Sequence, residues 1–268
     1  MFDVLLHRIL RIPYVLHVRY TRRVKRPRAT VLFLHGIGSS GAEWSEVVKL
    51  LPDDVMIITI DLLGFGESPK PEWARYSASE QARMIVTTLI RSGIKQRLII
   101  VGHSLGALVA VEVARRYPVI VRSLVLCSPP FYRPDLTRRR PSTERMLQAL
   151  YKRVEQNQAY FLRLAQFAIK HRLVNEAFSV NETTLPSYIQ TLKASIISQT
   201  AYGDVILLQK PITIVYGVLD PFVIDRNIRA IRKANEQVQV KKVVAGHEIM
   251  GRFIPAAADV VRNHIESH

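Results

Sequence analysis

The sequence predicts an α/β fold, a mostly parallel sheet with helices on both faces, and three observations carry that prediction. Short apolar runs rich in β-branched residues alternate with stretches whose apolar residues recur at helical spacing. That is the pattern of strands buried on both faces and joined by crossover helices. Several of the runs end in turns built on glycine or aspartate (HGIGSSG, DLLGFGES, GHSLG, YGVLD), as a chain leaving a buried strand requires. From about residue 131 to 200 the strand signals vanish and only helical spacing remains. The core therefore reads as residues 1–130 and 201–268, with 131–200 a helical insertion over the sheet edge.

Taken in order, residues 2–11 place Phe2, Leu5, Leu6, Ile9 and Leu10 at helical spacing, a short amphipathic helix flanked by Arg8 and Arg11. Tyr14–Tyr20 alternates as an edge strand, and Val31–Leu34 is a buried one. Ala42–Leu51 is a helix with Trp44, Val47, Val48 and Leu51 on one face. Val55–Ile60 is the next strand; Asp61 at its end bonds loop N–H groups and braces the glycine turn that follows. Ser79–Arg91 is a helix with Ser79 as candidate N-cap. Strand Leu98–Val101 and an alanine-rich helix to Tyr117 follow, then strand Ser123–Cys127, stopped by Pro129 and Pro130. The insertion repeats apolar residues at helical spacing (Met146, Leu147, Leu150; Phe161, Leu164, Phe167, Ala168). Alternation resumes with strand Ile212–Tyr216, helix Ile224–Ala234, strand Val238–Val244 and helix Pro255–Ile265, which has a proline in its first turn.

A hydrophobic fraction of 48% over 268 residues is ample for a large core and excludes a disordered chain. No apolar run reaches the roughly 18 residues of a spanning helix, and the N-terminal residues lack the basic leader and cleavage site of a signal peptide. A single cysteine, Cys127, forms no intrachain disulfide, which favours a reducing, cytoplasmic setting; its place in SLVLC makes it a small buried hydrophobe. Lys and Arg total 38 against 22 acidic residues, a net charge of +16. The excess concentrates in Arg19–Arg28 and Arg133–Arg145. A solvated basic surface accounts for it, and peripheral contact with an anionic membrane is the functional alternative. No nucleic-acid partner is expected, because neither run is interleaved with aromatics on a nucleic-acid module.

Ser104 lies at the centre of Gly102-His103-Ser104-Leu105-Gly106, between a predicted strand and a predicted helix. The pentapeptide alone arises by chance in roughly one chain in ten of this size, and a serine there could simply cap the helix. The flanking elements favour a strained strand-to-helix turn that presents a nucleophilic hydroxyl. Glycines after Val31–Leu34 let that loop turn back and expose N–H groups, so Ile37 and Leu105 are the candidate oxyanion donors. Near the C-terminus, Asp220 follows one strand and His247 another. Asp225 and Asp204 are rivals of the former. His35 and His103 within loop motifs, and His264 and His268 in the last helix or tail, are rivals of the latter.

LFLHGIGSS at 32–40, DLLGFGES at 61–68, VGHSLGA at 101–107 and the pair YGVLDPFV and AGHEI together resemble the α/β-hydrolase family over nearly the whole chain. Chain order Ser, acid, His is the family's order. The resemblance implies an eight-stranded mostly parallel sheet with an inserted helical cap. It further implies Ser104 as nucleophile, His247 as general base, Asp220 as the acid orienting the imidazole, and Ile37 and Leu105 as the oxyanion hole. Ala107 stands where the family often has glycine, and a serine at 104 argues against the dehalogenase and epoxide-hydrolase branches, which place an acid there.

The expected activity is hydrolysis of a carboxylic ester of a small apolar substrate through an acyl-enzyme, without metal or organic cofactor. A carbon–carbon bond hydrolase, a thioesterase or an acyltransferase would use the same residues, and a non-catalytic binding protein on this fold is the alternative of another class. The residues expected to meet substrate are His35, Gly36 and His103 at the strand ends, and Phe131, Phe161 and Phe167 from the insertion. Those aromatics, like Tyr132, Tyr151, Tyr160 and Tyr188, fit the insertion's own core equally well.

Overall fold

A strand that is apolar at every position must be covered on both sides, because successive side chains point to opposite faces. The computed structural model describes residues 4–133, 149, 151–154 and 156–267. Its strands are β1 (Val18–Arg22), β2 (Thr30–Leu34), β3 (Met56–Ile60), β4 (Leu98–His103), β5 (Val121–Cys127), β6 (Ile212–Gly217) and β7 (Val238–Val243). They form one sheet in the order β1-β3-β2-β4-β5-β6-β7. β1 pairs antiparallel with β3, and every other neighbouring pair is parallel. The helices are α1 (Ser45–Val48), α2 (Ala78–Arg91), α3 (Leu105–Arg116), α4 (Gln158–Lys170), α5 (Leu185–Thr191), α6 (Ala201–Leu207), α7 (Asp225–Ala234) and α8 (Phe253–Glu266).

Two buried clusters face away from each other across the sheet. Leu32 and Leu34 of β2 point with Ile100 and Ile214 toward α2, α3, α6 and α7. Val31 and Phe33 point with Val101 and Val215 toward Trp44, α1 and α8. Between β5 and β6 the described residues carry α4, α5, a π-helical turn at Leu192–Ile197 and α6, with no strand. A small cluster of Ala165, Val180 and Leu185, with Phe161 and Phe178 packed on it, holds this segment together. The expected repeat at Met146, Leu147 and Leu150 lies outside the described residues, as does most of the Arg133–Arg145 run.

Three expectations need correction. The sheet has seven strands among the described residues, where the family resemblance implied eight. The N-terminal strand begins at Val18 instead of Tyr14, because the backbone ahead of it bonds side chains of α2: Tyr14 N–H reaches the Met84 sulfur and Leu16 N–H the Thr88 hydroxyl. The N-cap of α2 is Ser77, not Ser79. The Ser77 hydroxyl accepts from Glu80 N–H at 3.2 Å, while the Glu80 carboxylate accepts from Tyr76 N–H at 2.7 Å, a reciprocal cap that leaves Ser79 inside the helix.

Asp61 behaves as expected. Its carboxylate accepts from Gly41 N–H at 2.7 Å and Glu67 N–H at 2.9 Å and is paired with the Arg19 guanidinium at 2.7 Å. That network ties β1 to the loops after β2 and β3, and holds the carboxyl below its ordinary range even though burial pushes it upward. Cys127 is buried, and burial drives its thiol strongly upward, so it is an inert packing group.

Candidate active site

The parallel strands all end on one edge, and the loops leaving β2, β4, β6 and β7 converge there. At the end of β4 the chain turns at once into α3, and the turning residue is Ser104, with φ 50° and ψ −112°. A non-glycine residue at positive φ is strained by about 1–3 kcal/mol. The turn is held by Ser104 N–H donating to the Cys127 carbonyl at 2.9 Å. Its flanking glycines are required by contact with backbone. A Cβ on Gly102 would lie 2.3 Å from the Gly106 carbonyl oxygen, and one on Gly106 would lie 2.2 Å from that of Leu34.

Asp220 and His247 come together from the loops after β6 and β7. His247 Nδ1 lies 2.8 Å from Asp220 Oδ2. The other carboxylate oxygen accepts from Phe222 N–H at 2.8 Å. Burial raises the Asp220 carboxyl, but the bond from His247 and its charge outweigh that, leaving the group below the ordinary carboxylate range. The rival acids are occupied elsewhere: Asp225 binds Lys242 at 2.7 Å and the Tyr216 hydroxyl, and Asp204 accepts from Thr200 at 2.6 Å. Of the rival histidines, His264 is buried between Ser123 and Thr213, and His268 lies outside the described residues.

Ser104 and His247 line one cavity of about 190 Å³. Its floor includes Gly36, Ile37, Glu43 and His103, and its apolar walls are Pro130, Tyr151, Val174, Phe178, Tyr188, Leu192, Ile196 and Phe222. The Phe222 ring packs edge-on against His247, centroids 4.8 Å apart. Leu105 opens α3, where first-turn N–H groups have no intrahelical acceptor. Ile37 N–H donates to no other described residue, whereas the adjacent Gly36 N–H is taken by Glu43 Oε2 at 2.9 Å. The segment between β5 and β6 is pinned to this loop: Ser179 N–H donates to the Gly38 carbonyl at 2.7 Å, and Phe178 and Tyr188 pack where a Gly38 side chain would stand.

The expected substrate-contacting residues divide. Gly36 and His103 line the cavity. His35 does not: it is wholly buried, its Nε2 accepts from Leu62 N–H at 2.8 Å, and its Nδ1 bonds the Gly36 carbonyl at 2.7 Å. Burial, the main cause, lowers its pKa, and the Leu62 bond requires the neutral ring. Phe131 is buried in the core, Phe161 packs against the outer side of Tyr188 at 5.0 Å, and Phe167 is 53% exposed beside His171. None of these three is a cavity residue, because membership of the insertion does not say which of its aromatics face the site. Sequence reasoning missed Glu43 and Glu248, which both line the cavity; the one signal for Glu43 was a carboxylate beside Trp44 at the start of an apolar stripe. Among the described residues no group of three His, Cys, Asp or Glu side chains is placed to hold a metal ion, and no helix is long and apolar enough to cross a membrane.

A fold of this topology, with a serine at a strained strand-to-helix turn and a His–Asp pair at the same sheet edge, is one that hydrolases use. Residues 29–250 match the sequence family described as alpha/beta hydrolase fold, and the chain belongs to that family. It is 36% identical over 111 residues to the probable lysophospholipase BODYGUARD 4 of Arabidopsis thaliana, and 37% over 116 residues to BODYGUARD 2 of the same plant. Each match covers 41% of this chain, and it spans 27% and 24% of those relatives' lengths. Among solved structures it is similar to an esterase from Thermogutta terrifontis (TM-score 0.71, 22% identity, 89% of this chain and 90% of that one). It is also similar to an esterase from Exiguobacterium antarcticum (TM-score 0.75, 14% identity, 95% and 100%). At such identities the structural likeness speaks for the fold.

Proposed function

We propose that the protein is a serine hydrolase that cleaves a carboxylic ester with a lipid-like acyl chain through an acyl-enzyme. The observation that supports this most is the His247–Asp220 bond of 2.8 Å at the rim of the cavity that Ser104 also lines. His247 takes the Ser104 hydroxyl proton as Oγ bonds to the ester carbonyl carbon. The carbonyl oxygen becomes an oxyanion held by the Ile37 and Leu105 N–H groups. Collapse breaks the bond to the alcohol oxygen, which leaves with the proton from His247, and water then releases the acid by the same steps. Asp220 fixes the imidazole tautomer and stabilises its charged form. Segment 131–200 acts as a cap, the apolar wall formed by its described residues receives the acyl chain, and the names of the Arabidopsis relatives point to a single-chain lipid ester.

A panel of p-nitrophenyl esters of graded chain length tests this reading. Turnover with an optimum is expected, falling once the chain outgrows the apolar wall. Turnover of thioesters or carbon–carbon substrates in place of esters would move the assignment within the enzyme class. A folded protein that turns over none of these and resists a fluorophosphonate probe would be a binding protein.

Leu5 and Ile9 of the π-helical turn Val4–Ile9, and Leu10 just after it, are exposed, with Arg8 and Arg11 beside them. This supports peripheral contact with an anionic membrane, where basic flanks and an apolar face act together. Sedimentation with anionic vesicles, weakened by salt and absent with neutral ones, is expected; equal binding to both or to neither would discard the contact.

A further inference from the structure

We propose that Glu43 and His103 form a buried strap that sets three catalytic loops in register, making both of them positioning residues. This rests on the assignment of Ser104 and His247 as reacting groups. Glu43, on the 3-10 turn Gly41–Trp44, offers one carboxylate oxygen to each side. Oε2 accepts from Gly36 N–H at 2.9 Å, next to the oxyanion donor Ile37. Oε1 lies 2.7 Å from His103 Nδ1, next to the nucleophile. His103 Nε2 then lies 3.0 Å from the carbonyl oxygen of His247 itself. One unbroken line of bonds thus joins the loops after β2, β4 and β7.

The chemistry of the two ring nitrogens fixes the charge. Each faces an acceptor, a carboxylate on one side and a backbone carbonyl on the other, so both must carry a proton. His103 is therefore an imidazolium, in contrast to the neutral His35 nearby. Burial alone would lower the His103 pKa, but the Glu43 carboxylate leads the groups that raise it to about 9. Glu43 is correspondingly held below its ordinary range, its own burial notwithstanding, by the charge of His103.

Both side chains are almost wholly enclosed, 1% and 3% exposed. A buried ion pair is a poor source of stability compared with apolar filling of the same volume. What it supplies here is direction, since its outward bonds end on catalytic-loop backbone. The ring also sits close against the loop after β2: a Cβ on Gly36 would meet His103 Nδ1 at 2.8 Å. With both N–H groups committed, His103 has none left for substrate. It borders the cavity but acts through the His247 backbone, with the two rings 5.0 Å apart.

The test pairs kinetics with NMR of the full chain. Glu43→Gln and His103→Gln are expected to lower kcat by about 10- to 100-fold, the scale of an ångström-level misplacement, with KM changed by less than about threefold. Nitrogen-15 spectra at neutral pH are expected to show two ring N–H protons on residue 103, assigned by their loss in His103→Gln. A single ring N–H would overturn the strap, as would unchanged kcat in folded variants. A loss carried by KM would make His103 a substrate-binding residue instead. Wild-type protein that neither turns over esters nor reacts with a fluorophosphonate would sink the hydrolase reading, which is a different failure. If both variants fail to fold, the wild-type ring spectrum, assigned through bonds from the residue 103 backbone, decides.

Discussion

Ser104→Ala is expected to lower kcat for any ester substrate by about 10⁴-fold or more and to abolish fluorophosphonate labelling, with the melting temperature unchanged or slightly raised. The hydroxyl is the only atom lost. The backbone at φ 50° stays as strained for alanine as for serine, and the N–H bond to Cys127 is kept. Activity and stability should therefore part cleanly. Asp220→Asn should come close to the same loss, about 10⁴-fold, since an amide no longer fixes the imidazole tautomer. Ester turnover by Ser104→Ala within about tenfold of wild type would remove the serine from the mechanism and leave the cavity as a binding site.

The second large effect is structural. Gly106→Ala is expected to destabilise the fold by about 3 kcal/mol or more, beyond the usual range for surface substitutions, lowering the melting temperature by roughly 6–12 °C. The added carbon would sit 2.2 Å from the Leu34 carbonyl oxygen and 2.8 Å from that of His35. These are backbone atoms at the end of a central strand, with no flexible end to swing away. Gly203→Ala is the matched control. It lies inside α6 with nothing within 4 Å of the added carbon, so it should be neutral or stabilise by up to about 1 kcal/mol. Thermal melts of the two variants side by side decide the matter; equal melting temperatures would show that the elbow tolerates what its geometry forbids.

The central strands were legible in the sequence because burial on both faces leaves an uninterrupted apolar signal: Val31–Leu34, Val55–Ile60 and Ser123–Cys127 all lie where the sheet has strands. The N-terminal edge was harder to place. Tyr14 and Leu16 are buried like strand residues, yet their N–H groups bond side chains on α2, a partner that no alternation of residues announces. Ser79 was read as the cap of α2 because nothing in the sequence shows that the Ser77 hydroxyl takes Glu80 N–H while the Glu80 carboxylate reaches back to Tyr76. The His–Asp pair was legible from strand-end position and chain order. The cavity wall was not: Phe131, Phe161 and Phe167 share a pattern with Tyr151, Phe178 and Tyr188, and only tertiary placement separates the buried, the outward and the cavity-facing. Glu43 gave little more than its place beside Trp44 for a related reason, since a lone carboxylate takes its meaning from partners 7 and 60 residues away.

The polar floor of the cavity comes from short turns leaving the parallel strands, whereas most of its greasy wall comes from one long excursion between β5 and β6. On the proposed function, reaction chemistry and ligand preference are therefore written in different parts of the polypeptide. A lineage carrying this scaffold can redraft what it accepts by editing the excursion alone, while the elbow, where a Cβ on either glycine would run into backbone, has almost no room to drift.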